Sequence, residues 1–178
     1  MSLTRVLLGL GSNMRREKNL TAGLDALELM LGDMQCSPVF ESLAVGYKGD
    51  NFFNLVVSGT TPLSLTELDR RLKFIEADNG RYAPDRKGLP LDIDVLMYGD
   101  LVGNFHGLEL PRPEILTNAF VLWPLAHLVP TIRHPRAGRS FAELRSVSTI
   151  EQRLWPVAFR WKDQELTPAA MLQDYGLK

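Results

Sequence analysis

The sequence predicts an α+β fold in a single domain, and three observations carry that reading. Some segments alternate apolar and polar residues with the period of a strand, whereas others repeat apolar residues every three or four positions. The two kinds succeed one another as strand, helix, strand, strand, helix, strand. No stretch between them is repetitive or linker-like. This is the element order of the ferredoxin-like βαββαβ unit, an antiparallel sheet with helices packed on it, whose second face is left for loops and ligand. One domain is expected over 1–178, with a core over about 5–136 and a C-terminal extension over about 149–178.

The first strand is the apolar run Arg5 to Leu10, stopped by Gly11-Ser12-Asn13. Leu20, Leu24, Leu27 and Leu31 make one helical stripe, with Gly32 where a C-terminal glycine belongs. Met34 to Ser42 reads as a second strand in which Pro38 makes an edge or bulge, and Phe52 to Thr60 as a third. Ser64 and Glu67 have capping-box spacing before Leu65, Leu68, Leu72 and Ile75, so a second helix is expected to about Asn79. After a basic loop, Gly80 to Pro90, the run Leu91 to Met97 alternates: Leu91, Ile93, Val95 and Met97 on one face, Asp92 and Asp94 on the other. A short strand at Leu108 to Leu110, a helical turn at Pro113, a helix Phe120 to Leu128 interrupted by Pro124, and a helix capped by Ser140 and Glu143 complete the reading. Trp155 and Trp161 mark the last segment as a packed appendage.

Composition narrows the function. Twenty Lys and Arg oppose 21 Asp and Glu, a net charge of -1, which argues against a nucleic-acid or membrane-surface binder. The apolar runs are too short to span a bilayer and the N-terminus lacks the features of a secretory signal, so a cytoplasmic protein is expected. One cysteine, Cys36, and three histidines form no disulfide or zinc pattern.

The chemistry points to phosphate. Asp92 and Asp94 project from one strand face about 7 Å apart, where two carboxylates repel unless a proton or cation lies between them. Oxygen-only ligands suit Mg²⁺, which takes one or two carboxylates and completes its shell with substrate phosphates; the competing reading is a solvated strand face. Arg81, Arg86, Lys87 and Arg112 gather in the loops around that strand, as a polyphosphate requires, although each alone reads more readily as surface charge. Gly9-Leu10-Gly11-Ser12-Asn13-Met14 lacks the third glycine of a dinucleotide fingerprint, and no P-loop is present. Asn54, between aromatic neighbours, either reads a heterocycle edge or bonds nearby backbone.

Taken in order, Leu8-Gly9-Leu10-Gly11-Ser12-Asn13, Ser42 with Gly46 and Phe53-Asn54, Ile75-Glu76 with Gly80-Arg81, Leu91-Asp92-Ile93-Asp94-Val95-Leu96, and Leu110-Pro111-Arg112-Pro113 with Phe120 to Leu125 resemble the 6-hydroxymethyl-7,8-dihydropterin pyrophosphokinases. The resemblance implies transfer of pyrophosphate from ATP to the hydroxymethyl group of a reduced pterin, with release of AMP, in folate biosynthesis. It implies ATP as co-substrate and two Mg²⁺ on Asp92 and Asp94; no obligate protein partner is evident from the sequence. Pterin would meet Ser42, Leu43, Val45, Phe52, Asn54 and Phe120; ATP would meet Glu76, Arg81, Val95, Leu110 and Arg112. Loops over 44–51 and 82–90 would close the site. The chain departs from the family where Gly88-Leu89-Pro90-Leu91 lacks a phosphate-binding arginine and where Arg86 replaces a loop aromatic. Thr117-Asn118 likewise stands in place of an arginine. Arg86 and Lys87 are then expected to compensate as catalytic cations beside Arg81. Two alternatives stand beside this reading: a divergent relative acting on another pterin-like alcohol, and a non-catalytic nucleotide or pterin binder.

Overall fold

A computed structural model describes residues 2–43 and 50–174. The expected six elements are present as β1 (Thr4–Ser12), α1 (Arg16–Met30), β2 (Gly32–Cys36) with β3 (Val39–Ser42), β4 (Phe52–Thr61), α2 (Leu65–Asp78) and β5 (Asp92–Tyr98). There follow a hairpin of β6 (Gly103–Phe105) and β7 (Leu108–Leu110), then α3 (Glu114–Thr117), α4 (Ala119–Leu128) and α5 (Phe141–Ser146). The extension supplies β8 (Leu154–Val157), a small pair β9 (Arg160–Trp161) and β10 (Gln164–Glu165), and α6 (Ala169–Asp174). The main sheet runs β5-β1-β4-β3-β8, with β2 also on β4, and its pairings are antiparallel.

Alternation along the strands sorts two cores onto the two faces. Val6, Leu8 and Leu10 of β1, Leu55 and Val57 of β4, and Ile93 and Val95 of β5 meet Leu20, Leu24 and Leu27 of α1 and Leu68 and Leu72 of α2. Each such buried leucine contributes roughly 1.5 to 3 kcal/mol. On the opposite face Leu7, Val56, Leu96 and Met97 lie under Ile115, Val121, Leu122, Leu125 and Phe141. The second helical layer covers only part of that face, and the remainder is open.

Four local expectations are corrected. Pro38 does not bend one strand but splits it: Ser37 exchanges bonds with Val56, its N–H donating to the carbonyl and its Oγ accepting from the N–H, both at 2.8 Å. Gly32 is no helix cap, since α1 ends at extended Leu31; a Cβ at Gly32 would stand 2.7 Å from Thr60 Oγ1, so any larger residue there must displace the Thr60 side chain on β4. Met97 lies on the face opposite Val95, because the register with β1 slips between Leu7 and Leu8 and inverts the alternation. At α2 the Ser64 hydroxyl accepts from the Glu67 N–H at 3.2 Å, but the Glu67 carboxylate turns to Arg70 and Arg71; the complete capping box is at α5, between Ser140 and Glu143.

Candidate active site

The uncovered part of the sheet is a cavity of about 590 Å³, and its floor follows from two glycines. Because Leu8 and Leu10 point to the helices, Gly9 and Gly11 face the other way and place no side chain there. The register sets Asn54 and Asp92 on either side of Gly11, and Val56 and Asp94 on either side of Gly9. A Cβ at Gly11 would come within 2.9 Å of Asn54 Oδ1.

One end of the cavity is aromatic and amide-bearing. Asn54 is buried and donates from Nδ2 to Ser42 Oγ at 2.9 Å across the β3–β4 pair, so its partner is a side chain rather than nearby backbone. Phe52 on β4 and Phe120 on the overlying α4 both line the space, together with Leu43. Val45 lies outside the described residues.

The other end holds the acid pair, each member with its own arginine. Helix α2 stops in left-handed Gly80, φ 87°; the Gly80 N–H bonds to Ala77 O and the Arg81 N–H to Glu76 O. That stop aims Arg81 back at the sheet, where Nη1 donates to Asp92 Oδ1 at 2.9 Å, the Leu91 carbonyl at 3.0 Å and Glu76 Oε2 at 3.2 Å. Glu76 also accepts from the Ile93 N–H at 2.8 Å. Burial raises its pKa, opposed by that N–H and by Arg81. Arg112 stands 3.5 Å from Asp94 and 2.8 Å from Glu114. Burial, reinforced by the charge of Asp92, pushes Asp94 up to about 8. Two crowded carboxylates, one held partly protonated, are what a hard divalent cation relieves. Among the described residues no three His, Cys, Asp or Glu gather into a complete protein cage. An open pair fits Mg²⁺ that keeps water or phosphate oxygens as its remaining ligands.

Asp92, Asp94, Ser42, Leu43, Phe52, Asn54, Phe120 and Arg112 therefore share one cavity. Glu76, Arg81, Val95 and Leu110 do not line it. Val95 and Leu110 belong to the helix-side core, and Glu76 and Arg81 adjoin Asp92 at β5, an outer strand of the sheet. Arg86 and Lys87, expected among the catalytic groups, stand apart from this cavity. Both are exposed, neither lines the cavity, and Arg86 Nη1 donates to Gly88 O at 2.5 Å within its own loop. That loop is held elsewhere: the Asn13 N–H donates to Leu89 O at 3.0 Å, and Asn13 Oδ1 accepts from the Leu89 N–H at 2.6 Å.

Residues 7–130 match the family of 7,8-dihydro-6-hydroxymethylpterin-pyrophosphokinase (HPPK). The chain belongs to this family. It is 32% identical to a 2-amino-4-hydroxy-6-hydroxymethyldihydropteridine pyrophosphokinase of Aquifex aeolicus, over 84% of this chain and 95% of that protein. It is 34% identical to a folate synthesis bifunctional protein of Chlamydia trachomatis, over 83% of this chain but only 36% of that longer one. In fold it is similar to wild-type Plasmodium falciparum HPPK-DHPS solved with pteroate, with TM-score 0.69, 13% identity, and coverage of 92% of this chain and 49% of that one. The family match ends before the C-terminal extension, yet Glu151, Gln152 and Arg153 also line the cavity. Sequence reasoning missed them because nothing in their spacing marks a site. The open floor was more accessible: alternation along Leu8 and Leu10 already turns Gly9 and Gly11 to the opposite face.

Proposed function

We propose that this chain transfers pyrophosphate from ATP to 6-hydroxymethyl-7,8-dihydropterin, releasing AMP, as a step of folate biosynthesis. The observation that carries this reading is the composite cavity: Phe52, Asn54 and Phe120 line the same space as Asp92 and Asp94, joined by a glycine floor. Family membership supplies the reaction, and the cavity gives each substrate an end.

In the slot, Phe52 and Phe120 offer faces for stacking a flat ring, and the Asn54 amide, oriented by Ser42, offers a paired donor and acceptor to its edge. The hydroxymethyl group then points along the glycine floor to the acid pair. Asp92 and Asp94 would hold Mg²⁺, which when bound with the triphosphate neutralises its charge. Arg81 and Arg112, each within reach of one aspartate, would contact phosphate oxygens once the carboxylates have a cation. The substrate oxygen bonds to the β-phosphorus, the bond from that phosphorus to the α-bridging oxygen breaks, the hydroxyl proton passes to solvent water, and AMP departs with the bridging oxygen. The protein's contribution is alignment and charge compensation rather than proton transfer.

Product analysis tests the reading. Incubated with Mg-ATP and the pterin, the protein should form AMP, and none when the pterin is omitted. Folded protein that forms no AMP under both conditions would overturn it.

A further inference from the structure

The C-terminal extension is more than a prop for the sheet edge. Gln152 Oε1 accepts from the Ala119 N–H at 2.7 Å, capping α4, whose own N-cap residue Asn118 makes no side-chain cap bond. One residue beyond Arg153, Leu154 pairs with Ser42 in the β3–β8 ladder. Arg153 is thus held between two fixed points. One adjoins Phe120 and the other is the residue that bonds Asn54.

Two arginines line the cavity. Arg112 is engaged by Asp94 and Glu114, whereas Arg153 makes no hydrogen bond or ion pair with any described residue. The sheet order decides which end Arg153 serves. The strand it leads into, β8, and the acid-bearing β5 are at opposite edges, four strand spacings or roughly 19 Å apart. The triphosphate belongs to the β5 edge, so the free guanidinium belongs to the ring end.

We infer that Arg153 is a substrate-contacting residue of the pterin slot, donating hydrogen bonds to an oxygen or nitrogen acceptor on the heterocycle edge; this rests on the proposed pyrophosphokinase reading. A guanidinium suits that edge because its planar array of donors lies flush with a flat ring. The segment 151–153 then forms a third wall of the slot, beyond the part of the chain that the family match covers.

Steady-state kinetics of Arg153→Ala, with each substrate varied in turn, tests this. Loss of one hydrogen bond from a charged donor should raise KM for the pterin about tenfold. KM for ATP, kcat and the melting temperature should stay near wild type. Arg160→Ala, in the same extension but paired with Glu165 and outside the cavity, should leave all four unchanged. An unchanged pterin KM, or a rise confined to the ATP KM, would overturn the assignment while wild-type AMP formation still upheld the pyrophosphokinase reading. A wild type that forms no AMP would overturn both.

Discussion

Two carboxylates and a histidine show how single side chains divide between chemistry and structure. Asp92 and Asp94 lie on a partly exposed strand face and support no core, so Asp92→Ala and Asp94→Ala should fold normally yet lose turnover on the order of a thousandfold or more. A near-wild-type rate of AMP formation in either variant would remove the metal-pair mechanism. His134 is structural: it is buried, and its Nδ1 accepts from the N–H groups of Arg136 and Ala137 at 3.2 and 3.0 Å. Burial, aided by the charge of Arg136, holds its pKa below the usual value. A histidine that is neutral when folded contributes stability above its unfolded pKa of about 6.5, and loses it as pH falls through the lowered folded value. Unfolding free energy should therefore decline below about pH 6.5, and His134→Asn should flatten that decline. His127, also shifted down by burial, remains in both proteins, so their difference reports His134 alone. Parallel pH profiles for the two would contradict this account.

At the scale of elements, β1 organises the site by what it omits. Gly11→Ala would place a methyl 2.9 Å from Asn54 Oδ1, and β1 is too tightly laddered on both sides to retreat. Asn54 must then turn from Ser42, so the pterin KM should rise at least about tenfold while the ATP KM holds. Pterin kinetics unchanged by the methyl would mean that Asn54 does not read the ring. This strand also shows how far sequence carries. The leucines of β1, α1 and α2 announced their elements because burial imposes one period along each, and the Asp92 and Asp94 alternation announced the open face of β5. The split at Ser37, the inverted side of Met97 and the reach of Arg81 were not legible. Each depends on a bond to a residue distant in the chain, or on a slip of register that leaves the residue pattern intact. The same limit applies to Arg86 and Lys87: a loop's charge is visible in sequence, but its direction depends on a tie such as that between Asn13 and Leu89.

For the molecule as a whole, the question is whether the extension folds with the core or merely rests on it. Phe159 and Trp161 are buried in the helix-side core, and Trp161 Nε1 donates to Asp25 Oδ1 of α1 at 3.0 Å. The Val39 N–H donates to Thr167 Oγ1 at 3.0 Å in a buried setting, and β8 ladders with β3 along its length. Removing these contacts would strip an edge from the main sheet and open the apolar face under α1, so the extension has no separate state to occupy. One domain over the whole chain follows as our proposal, and it predicts a single cooperative transition. Trp155 and Trp161 lie in the extension and Trp123 in α4, so denaturation followed by tryptophan fluorescence should coincide with the loss of backbone ellipticity. Thr167→Val, which leaves the Val39 N–H buried without its acceptor, should lower both midpoints together by about 1 to 3 kcal/mol of stability. An early fluorescence transition, with Thr167→Val moving that one alone, would make the extension a separate unit and leave the slot with a wall that can detach.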